Sequence, residues 1–145
     1  MTNIILPVDF GESTDFLLDE TVKFAKTNGK IFLIHVAPSD IGFAIGDMGF
    51  QYFPEIEKTK YKEALQLNEL QQRIIAQDVD CEHILKQGIA KEVILDYVQE
   101  KKADYIVMGS HGRSGIYDVF VGSLTKELTK KCPSACFAIP CHQHK

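Results

Sequence analysis

Short apolar runs and amphipathic stretches follow one another along this chain, and their spacing predicts strands and helices in alternation. Residues 4–8 are continuously apolar, and residues 103–108 are rich in apolar, β-branched and aromatic side chains, as buried parallel strands are. Residues 13–27 instead place their apolar side chains at helical spacing. In full, we predict strands at residues 4–8, 31–37, 79–85, 103–108 and 136–139, and helices at residues 13–27, 55–77, 89–101 and from residue 122.

The predicted helices carry boundary residues and an apolar stripe. In the first helix a hydroxyl residue, Ser13 or Thr14, is expected to cap the start, and the pair Asn28–Gly29 to end it. The residues predicted to face inward are Leu17, Leu18, Val22 and Ala25 in the first helix, Tyr61, Ala64, Leu65, Leu67, Leu70, Ile74 and Ile75 in the second, and Val93, Ile94, Tyr97 and Val98 in the third.

The order of these elements predicts the fold class. Strands that alternate with helices through short links imply a parallel sheet with helices on both faces, which is a doubly wound α/β fold. The 145 residues suit a single domain spanning 1–145, with 142–145 as a loose tail. Residues 39–54 interrupt the pattern with glycines among aromatic residues. We interpret them as a loop that either packs its own aromatics on the domain or forms a lid or partner surface.

Composition narrows the class of protein further. The apolar fraction of 45% and the charged fraction of 25% are typical of globular proteins. A net charge of −4 without a basic stripe argues against a nucleic-acid partner. No apolar run reaches the roughly 18 residues of a membrane span, and the amino terminus does not resemble a signal peptide, so we expect a cytoplasmic location. In that reducing compartment the four cysteines are expected as thiols.

The candidate ligand site is the glycine-containing stretch 108–115, together with Gly122 and Ser123. It lies between the predicted fourth strand and the last predicted helix. Glycines let the main chain approach an anion closely, and the first turn of a helix presents unpaired N–H groups and a partial positive charge. The pattern therefore favours a nucleotide phosphate site at the carboxyl ends of the strands, where open α/β sheets bind ligands.

The spacing in this stretch resembles a known signature. Gly109, two residues, Gly112, nine residues, then Gly122 and the Ser123 hydroxyl are similar to the ATP-binding motif of the universal stress protein family. Other stretches resemble strands of the same family, so that the resemblance covers nearly the whole chain. These are residues 4–10 with their Pro7-Val8-Asp9 ending, Ile34-His35-Val36, and residues 132–140.

The resemblance implies a fold, a ligand and an assembly. The fold is a Rossmann-like sandwich of the adenine nucleotide alpha hydrolase type: a five-stranded parallel sheet in the order 3-2-1-4-5 with four helices. The ligand is ATP, with Mg²⁺ or Mn²⁺ held mainly by the phosphates. The assembly is a homodimer through the last strand, whose edge invites pairing. The implied ligand residues are Pro7, Val8, Asp9, Val36, Met108, Gly109, His111, Gly112, Arg113, Gly122, Ser123 and Leu124.

Several residues of this set also have a simpler structural interpretation. Asp9 contacts the nucleoside or accepts N–H bonds in the turn around Gly11, and both roles can coexist. By resemblance the main chain of Val36 meets the adenine, although the residue suits a core strand in any case. Arg113 pairs with a terminal phosphate or is solvated, and His111 faces solvent or serves in phosphate binding or proton transfer.

Other site types fit the chain less well. A Walker A loop needs Gly-Lys-Ser/Thr at a spacing that is absent here, and the Rossmann dinucleotide fingerprint belongs after the first strand. The carboxyl-terminal residues Cys132, Cys136, Cys141, His142 and His144 match no zinc spacing, so buried thiols and a frayed tail are favoured over a metal site.

Three hypotheses for the function remain open at this point. The leading one is a universal stress protein of the ATP-binding subgroup, in which ATP acts as a regulatory or switch ligand in the stress response and an unidentified protein partner reads its occupancy. The second is a weak ATPase or nucleotidyl-transfer enzyme on the same fold. Since no general base can be named, at most slow hydrolysis or autophosphorylation is expected. The third is a structural stress factor that acts by dimerisation without a nucleotide.

Overall fold

Seven strands and three helices form the part of the chain that the computed structural model describes, which is residues 1–26, 28–37, 43–46, 49–52, 54–109 and 134–139. The fourth predicted helix, from residue 122, lies outside these ranges. The strands are β1 (Thr2–Pro7), β2 (Gly29–Ala37), β3 (Phe43–Gly46), β4 (Gly49–Tyr52), β5 (Asp80–Gln87), β6 (Tyr105–Gly109) and β7 (Ala135–Ile139). The helices are α1 (Thr14–Ala25), α2 (Pro54–Ile75) and α3 (Ala90–Glu100).

Five of the strands form one parallel sheet in the order β5-β2-β1-β6-β7. Numbered among themselves along the chain, these strands have the order 3-2-1-4-5, so the predicted topology is confirmed. The first strand, β1, is central, and Ile5 lies opposite Phe32 on one side and Ile106 on the other. Because parallel strands end at the same edge, the carboxyl ends of β2, β1 and β6 are neighbours.

The core has two layers, one on each face of the sheet. Ile4 and Leu6 of β1, and Val8 just after the strand, pack with the buried residues of α1 and α2. Ile5, which points to the other face, belongs to a second cluster with α3. Side chains of opposite parity along one strand are therefore both buried, which explains why β1 has a continuous apolar sequence rather than an alternating one.

The helix stripes agree with prediction in α1 and α3 but only in part in α2. Leu67, Leu70 and Ile74 of α2 are buried, whereas Tyr61 and Leu65 have relative exposures of 70% and 48%. The prediction that both of these face the core, and Ile75 with them, is wrong. The helix packs on β5 and β2 through a narrow line of residues spaced three and four apart, and Leu65 is turned almost to the opposite side from Leu67.

The ends of α1 differ in detail from the expected capping. Ser13 precedes the helix, but within the described residues its side chain makes no capping hydrogen bond. The Thr14 N–H instead donates to the Gly11 carbonyl at 3.1 Å. After the helix, a Cβ on Gly29 would lie 2.8 Å from the Cα of Ala25. Glycine is therefore needed there for close contact between the end of α1 and the start of β2.

The stretch predicted as a loop between residues 39 and 54 contains regular structure. Its two strands β3 and β4 pair in antiparallel fashion, with Phe43 opposite Tyr52 and Gly46 opposite Gly49. Aromatic and β-branched residues have strand propensity, and in this stretch that preference prevails over the glycines, which had suggested an irregular loop. Along the chain the hairpin lies between β2, which ends at Ala37, and α2, which begins at Pro54.

Replacement of Gly29 by alanine tests the close contact with α1. We expect Gly29→Ala to lower the free energy of unfolding by about 1–3 kcal/mol, because the added methyl must push the end of α1 away from β2. Urea unfolding followed by circular dichroism measures the change. The exposed Lys26→Ala is the matched control and should stay within about 0.5 kcal/mol of the parent. A Gly29→Ala protein of unchanged stability would contradict this packing.

Candidate functional site

The predicted ligand residues that the structure describes all lie at the carboxyl edge of three adjacent strands. The central strand, β1, ends at this edge, between its neighbours β2 and β6. This edge carries Pro7, Val8 and Asp9 at the end of β1, Val36 near the end of β2, and Met108 and Gly109 at the end of β6. The other six predicted ligand residues lie outside the described ranges: His111, Gly112, Arg113, Gly122, Ser123 and Leu124.

The main chain of Val8 continues the pairing of β1 for one residue beyond the strand. Its N–H donates to the Ile34 carbonyl at 2.9 Å. Its carbonyl oxygen accepts from the Nδ1 of His35 at 2.8 Å. Val8 itself is buried, with 7% of its surface exposed. Both backbone polar groups are thus satisfied in an apolar environment, as burial of a strand end requires.

Asp9 holds the turn that follows. Its Oδ1 accepts a hydrogen bond from the Gly11 N–H at 2.8 Å, so the structural role considered for this residue is present. A carboxylate has two oxygens, each able to accept more than one hydrogen bond, and the side chain is only half-buried. The turn contact alone therefore does not use all the acceptor positions of this carboxylate.

Phe10 occupies an unfavourable backbone conformation between Asp9 and Gly11. Its φ of 60° lies in the left-handed region, which costs a bulky L residue roughly 1–2 kcal/mol. Its ring packs on the imidazole of His35, with centroids 4.6 Å apart and an angle of 42° between the planes. Such strain persists only where neighbouring contacts hold it, and it is frequent at functional sites.

His35, which contacts this turn, forms a largely buried pair with Glu63. The Nε2 of His35 lies 2.6 Å from Oε2 of Glu63, and the two side chains have relative exposures of 9% and 16%. Among the acidic and basic side chains whose exposure the structure describes, His35 alone is buried. The pair joins α2 to the end of β2, beside the residues predicted to bind a ligand.

No functional role was predicted from the sequence for His35, Glu63 or Phe10. A histidine near the end of an apolar strand is a signal that could have singled out His35. Glu63 carries no such signal, because it is one of many charged residues on α2 and its partner depends on which side of the helix faces β2. A left-handed phenylalanine has no sequence signature, since this conformation is imposed by its surroundings.

On the other strands the predicted residues belong mainly to the core. The side chain of Met108 is 5% exposed, and Val36 packs against the same α3-side cluster. Gly109 is buried at the end of β6, opposite Ile139 of β7. A ligand at this edge would therefore meet backbone more than side chains on β2 and β6, whereas β1 presents the Asp9 carboxylate.

The described residues contain no group of three or more His, Cys, Asp or Glu side chains that could hold a metal ion. Neither Cys81 nor Cys136 forms a disulfide within the part of the chain that the structure describes. Burial raises the pKa of Cys81 to about 12, so this thiol stays protonated and unreactive near neutral pH. The remaining candidates of the carboxyl-terminal cluster, Cys132, Cys141, His142 and His144, lie outside the described ranges.

None of the three helices described is long and apolar enough to cross a membrane.

Two substitutions of Asp9 distinguish the stabilising effect of its hydrogen bond to Gly11 from the effect of its negative charge. Asp9→Ala removes the acceptor of the Gly11 N–H, and we expect a loss of about 1 kcal/mol in the free energy of unfolding. Asp9→Asn keeps an oxygen at the same place and should retain most of that stability. Chemical denaturation of both proteins measures the difference. Equal stability of Asp9→Ala and the parent would show that the turn does not depend on this bond.

Comparison with known proteins finds a matching family and matching structures. The family model described as "Universal stress protein family" matches residues 1–140. Universal stress protein YxiE of Bacillus subtilis is 26% identical over 139 residues, which cover 90% of this chain and 94% of that protein. The solved structure of protein MJ0577, from Methanocaldococcus jannaschii, superposes with a TM-score of 0.79 at 22% identity, covering 96% of this chain and 95% of that one.

Two further solved structures of the same fold contain an adenine nucleotide. A universal stress protein in complex with cAMP superposes with a TM-score of 0.68 at 19% identity, covering 96% of each chain. The universal stress protein from Archaeoglobus fulgidus in complex with dAMP superposes with a TM-score of 0.65 at 17% identity, covering 96% of this chain and 98% of that one. At these identities the likeness shows the fold.

Proposed function

Because this chain belongs to the universal stress protein family, we propose that it binds an adenine nucleotide, with ATP as the regulatory ligand, at the carboxyl edge of β2, β1 and β6. The observation that carries the proposal is the convergence of Val8–Asp9, Val36 and Met108–Gly109 at one edge of the sheet. Open α/β sheets bind ligands at such an edge. Two proteins of the same fold hold cAMP and dAMP, which supports an adenine nucleotide as the ligand class.

In this proposal, different residues contact different parts of the nucleotide. Asp9 accepts a hydrogen bond from the nucleoside while it keeps its bond to Gly11. The main chain at Val36 meets the adenine, and Met108 and Gly109 lead from β6 into the glycine-containing stretch. That stretch supplies phosphate contacts from His111, Gly112, Arg113, Gly122, Ser123 and Leu124, in the roles that the family resemblance implies.

A metal ion, Mg²⁺ or Mn²⁺, would reach this site with the phosphates. Asp9 is the one carboxylate among the predicted ligand residues, and His35 and Glu63 are already bound to each other. Hard cations prefer several oxygen ligands, so phosphate oxygens and water would have to supply most of them. This donor set favours binding over metal-assisted hydrolysis, and we propose a cytoplasmic binding protein whose nucleotide occupancy is read by a protein partner.

Calorimetric titration with ATP and Mg²⁺ tests the proposed ligand. We expect saturable binding in the parent and at least about tenfold weaker binding in Gly112→Val, because a side chain there would displace main chain from the phosphates. Gly115→Val is the matched control: the same change in the same stretch, at a glycine outside the predicted ligand set. No saturation at millimolar ATP, or equal affinity in Gly112→Val, would contradict the site, and saturation by AMP alone would revise the ligand.

The sheet edge at β7 supports the proposed homodimer. Phe137 on this strand is 41% exposed, and its ring contacts Phe24 of α1, which is 43% exposed, and Tyr105 of β6. Beside these rings is a shallow depression of about 190 Å³, lined in part by Val107 and Ile139. Among the described strands β7 is the outermost of the sheet, and an outer strand flanked by exposed aromatic rings is suited to pairing with a second copy of the chain.

Replacement of one exposed ring tests this interface. We expect Phe137→Glu to convert a dimer into a monomer at micromolar concentration, because the carboxylates of two copies would be brought together in an apolar contact. Light scattering gives the mass. Tyr61→Glu changes an exposed aromatic residue of α2, away from the edge, and should leave the dimer intact. A monomeric parent protein would contradict the assembly.

A further inference from the structure

The hydrogen bonds of His35 define where its protons are. A carbonyl oxygen only accepts, so the Nδ1 that lies 2.8 Å from the Val8 oxygen carries a hydrogen. A neutral imidazole would then have a bare lone pair at Nε2, facing the Glu63 carboxylate across 2.6 Å. Two acceptors at this distance repel each other, and a second proton must therefore lie between Nε2 and Oε2.

The second proton makes His35 and Glu63 an electrically neutral unit. The proton is bound either to the imidazole, giving an ion pair, or to the carboxylate, giving two neutral groups. In both forms the hydrogen bonds to Val8 and between the two side chains are kept. Retention of both bonds suits a buried pair, because an isolated charge or an unsatisfied polar atom in this environment would be unfavourable.

The same unit is in contact with the turn that carries Asp9 at two points. It binds the Val8 carbonyl, the last backbone acceptor before Asp9, and it supports the ring of Phe10, the residue immediately after Asp9. Phe10 is held in its left-handed conformation between these contacts. Asp9 therefore lies between two residues whose positions are set by the imidazole, and the imidazole is held by Glu63 from α2.

We propose that His35 and Glu63 share one proton and act as positioning residues that hold Asp9 in place for the adenine nucleotide. The proposal rests on the proposed function for the role of Asp9 as a ligand residue. In this arrangement α2 supports the site through Glu63, although it supplies no residue of the predicted ligand set. Displacement of α2 would move Glu63, release the imidazole and loosen the turn, so the position of this helix and the occupancy of the site are coupled.

The proton count can be measured without a ligand. Long-range ¹H–¹⁵N NMR spectra report the protonation of each imidazole nitrogen, and His35 is assigned by its absence from the spectrum of His35→Gln. We expect a hydrogen on Nδ1 and an Nε2 shift that shows a shared proton in the parent. In Glu63→Gln we expect a neutral ring with Nδ1–H, because the amide donates to Nε2. A ring protonated at Nε2 and bare at Nδ1 would overturn the proposal.

The positioning role is tested with two substitutions of Glu63 and one matched control. Glu63→Ala removes the support of the imidazole, and we expect faster hydrogen exchange at the Gly11 amide, which Asp9 binds. The affinity for AMP, followed by NMR titration, should fall about tenfold, the loss of roughly one hydrogen bond to the ligand. Glu63→Gln keeps a bond to Nε2 and should restore both measurements. Glu69→Ala, an exposed carboxylate on the same helix, should change neither.

The outcomes distinguish this proposal from the proposed function. If the parent binds neither AMP nor ATP at millimolar concentration, the proposed function fails, and the NMR protonation and the Gly11 exchange still decide whether the pair positions Asp9. If the parent binds AMP and Glu63→Ala binds it equally well with unchanged Gly11 exchange, the positioning role is refuted and the proposed function stands. Equal losses in Glu63→Ala and Glu63→Gln would also refute it, because the conservative change keeps the support.

Discussion

Burial of β1 between two parallel neighbours governs the packing of the core and the position of the candidate site. The strand pairs with β2 along its whole length and with β6 at Ile4 and Ile5, and its side chains are packed on both faces of the sheet. Every backbone group of such a strand needs a partner, since water does not reach it. The sheet pairing ends at Val8. Beyond it, backbone groups must form hydrogen bonds with other partners, and polar side chains at the carboxyl edge provide them.

The turn after β1 shows how this need is met. His35 donates to the Val8 carbonyl, and the Asp9 carboxylate accepts from Gly11 two residues further on. Phe10, strained in its backbone, is held by its ring against the imidazole. These contacts place a carboxylate at the central position of the edge. A turn held from several sides is preorganised, so a ligand that uses it does not have to order it, which is favourable for binding.

Particular elements show how much of the fold can be predicted from one sequence. The apolar stripe of α1 and the strand β1 are encoded by local periodicity. The four predicted residues of the stripe are buried, and the strand predicted at residues 4–8 is observed at Thr2–Pro7. The prediction for α2 was wrong at Tyr61 and Leu65, because a long amphipathic helix has more apolar residues than the narrow contact with β5 and β2 can bury. The hairpin of β3 and β4 was missed, because glycine weakened a strand signal carried by a few aromatic residues. The strand order was expected from the family resemblance and not from any periodicity.

The amino-acid sequence alone predicts the alternation of strands and helices, the residues at the ends of β1, β2 and β6, and, through their motifs, the family. These features are local, because hydrophobic period and glycine spacing act within a few residues of the chain. Three features are visible only in the folded protein: His35 contacts Glu63, Phe10 adopts a left-handed conformation, and Asp9 lies between contacts made by one imidazole. These features depend on the rotation of α2 about its own axis and on the alignment of β1 with β2, and both result from the packing of the whole core.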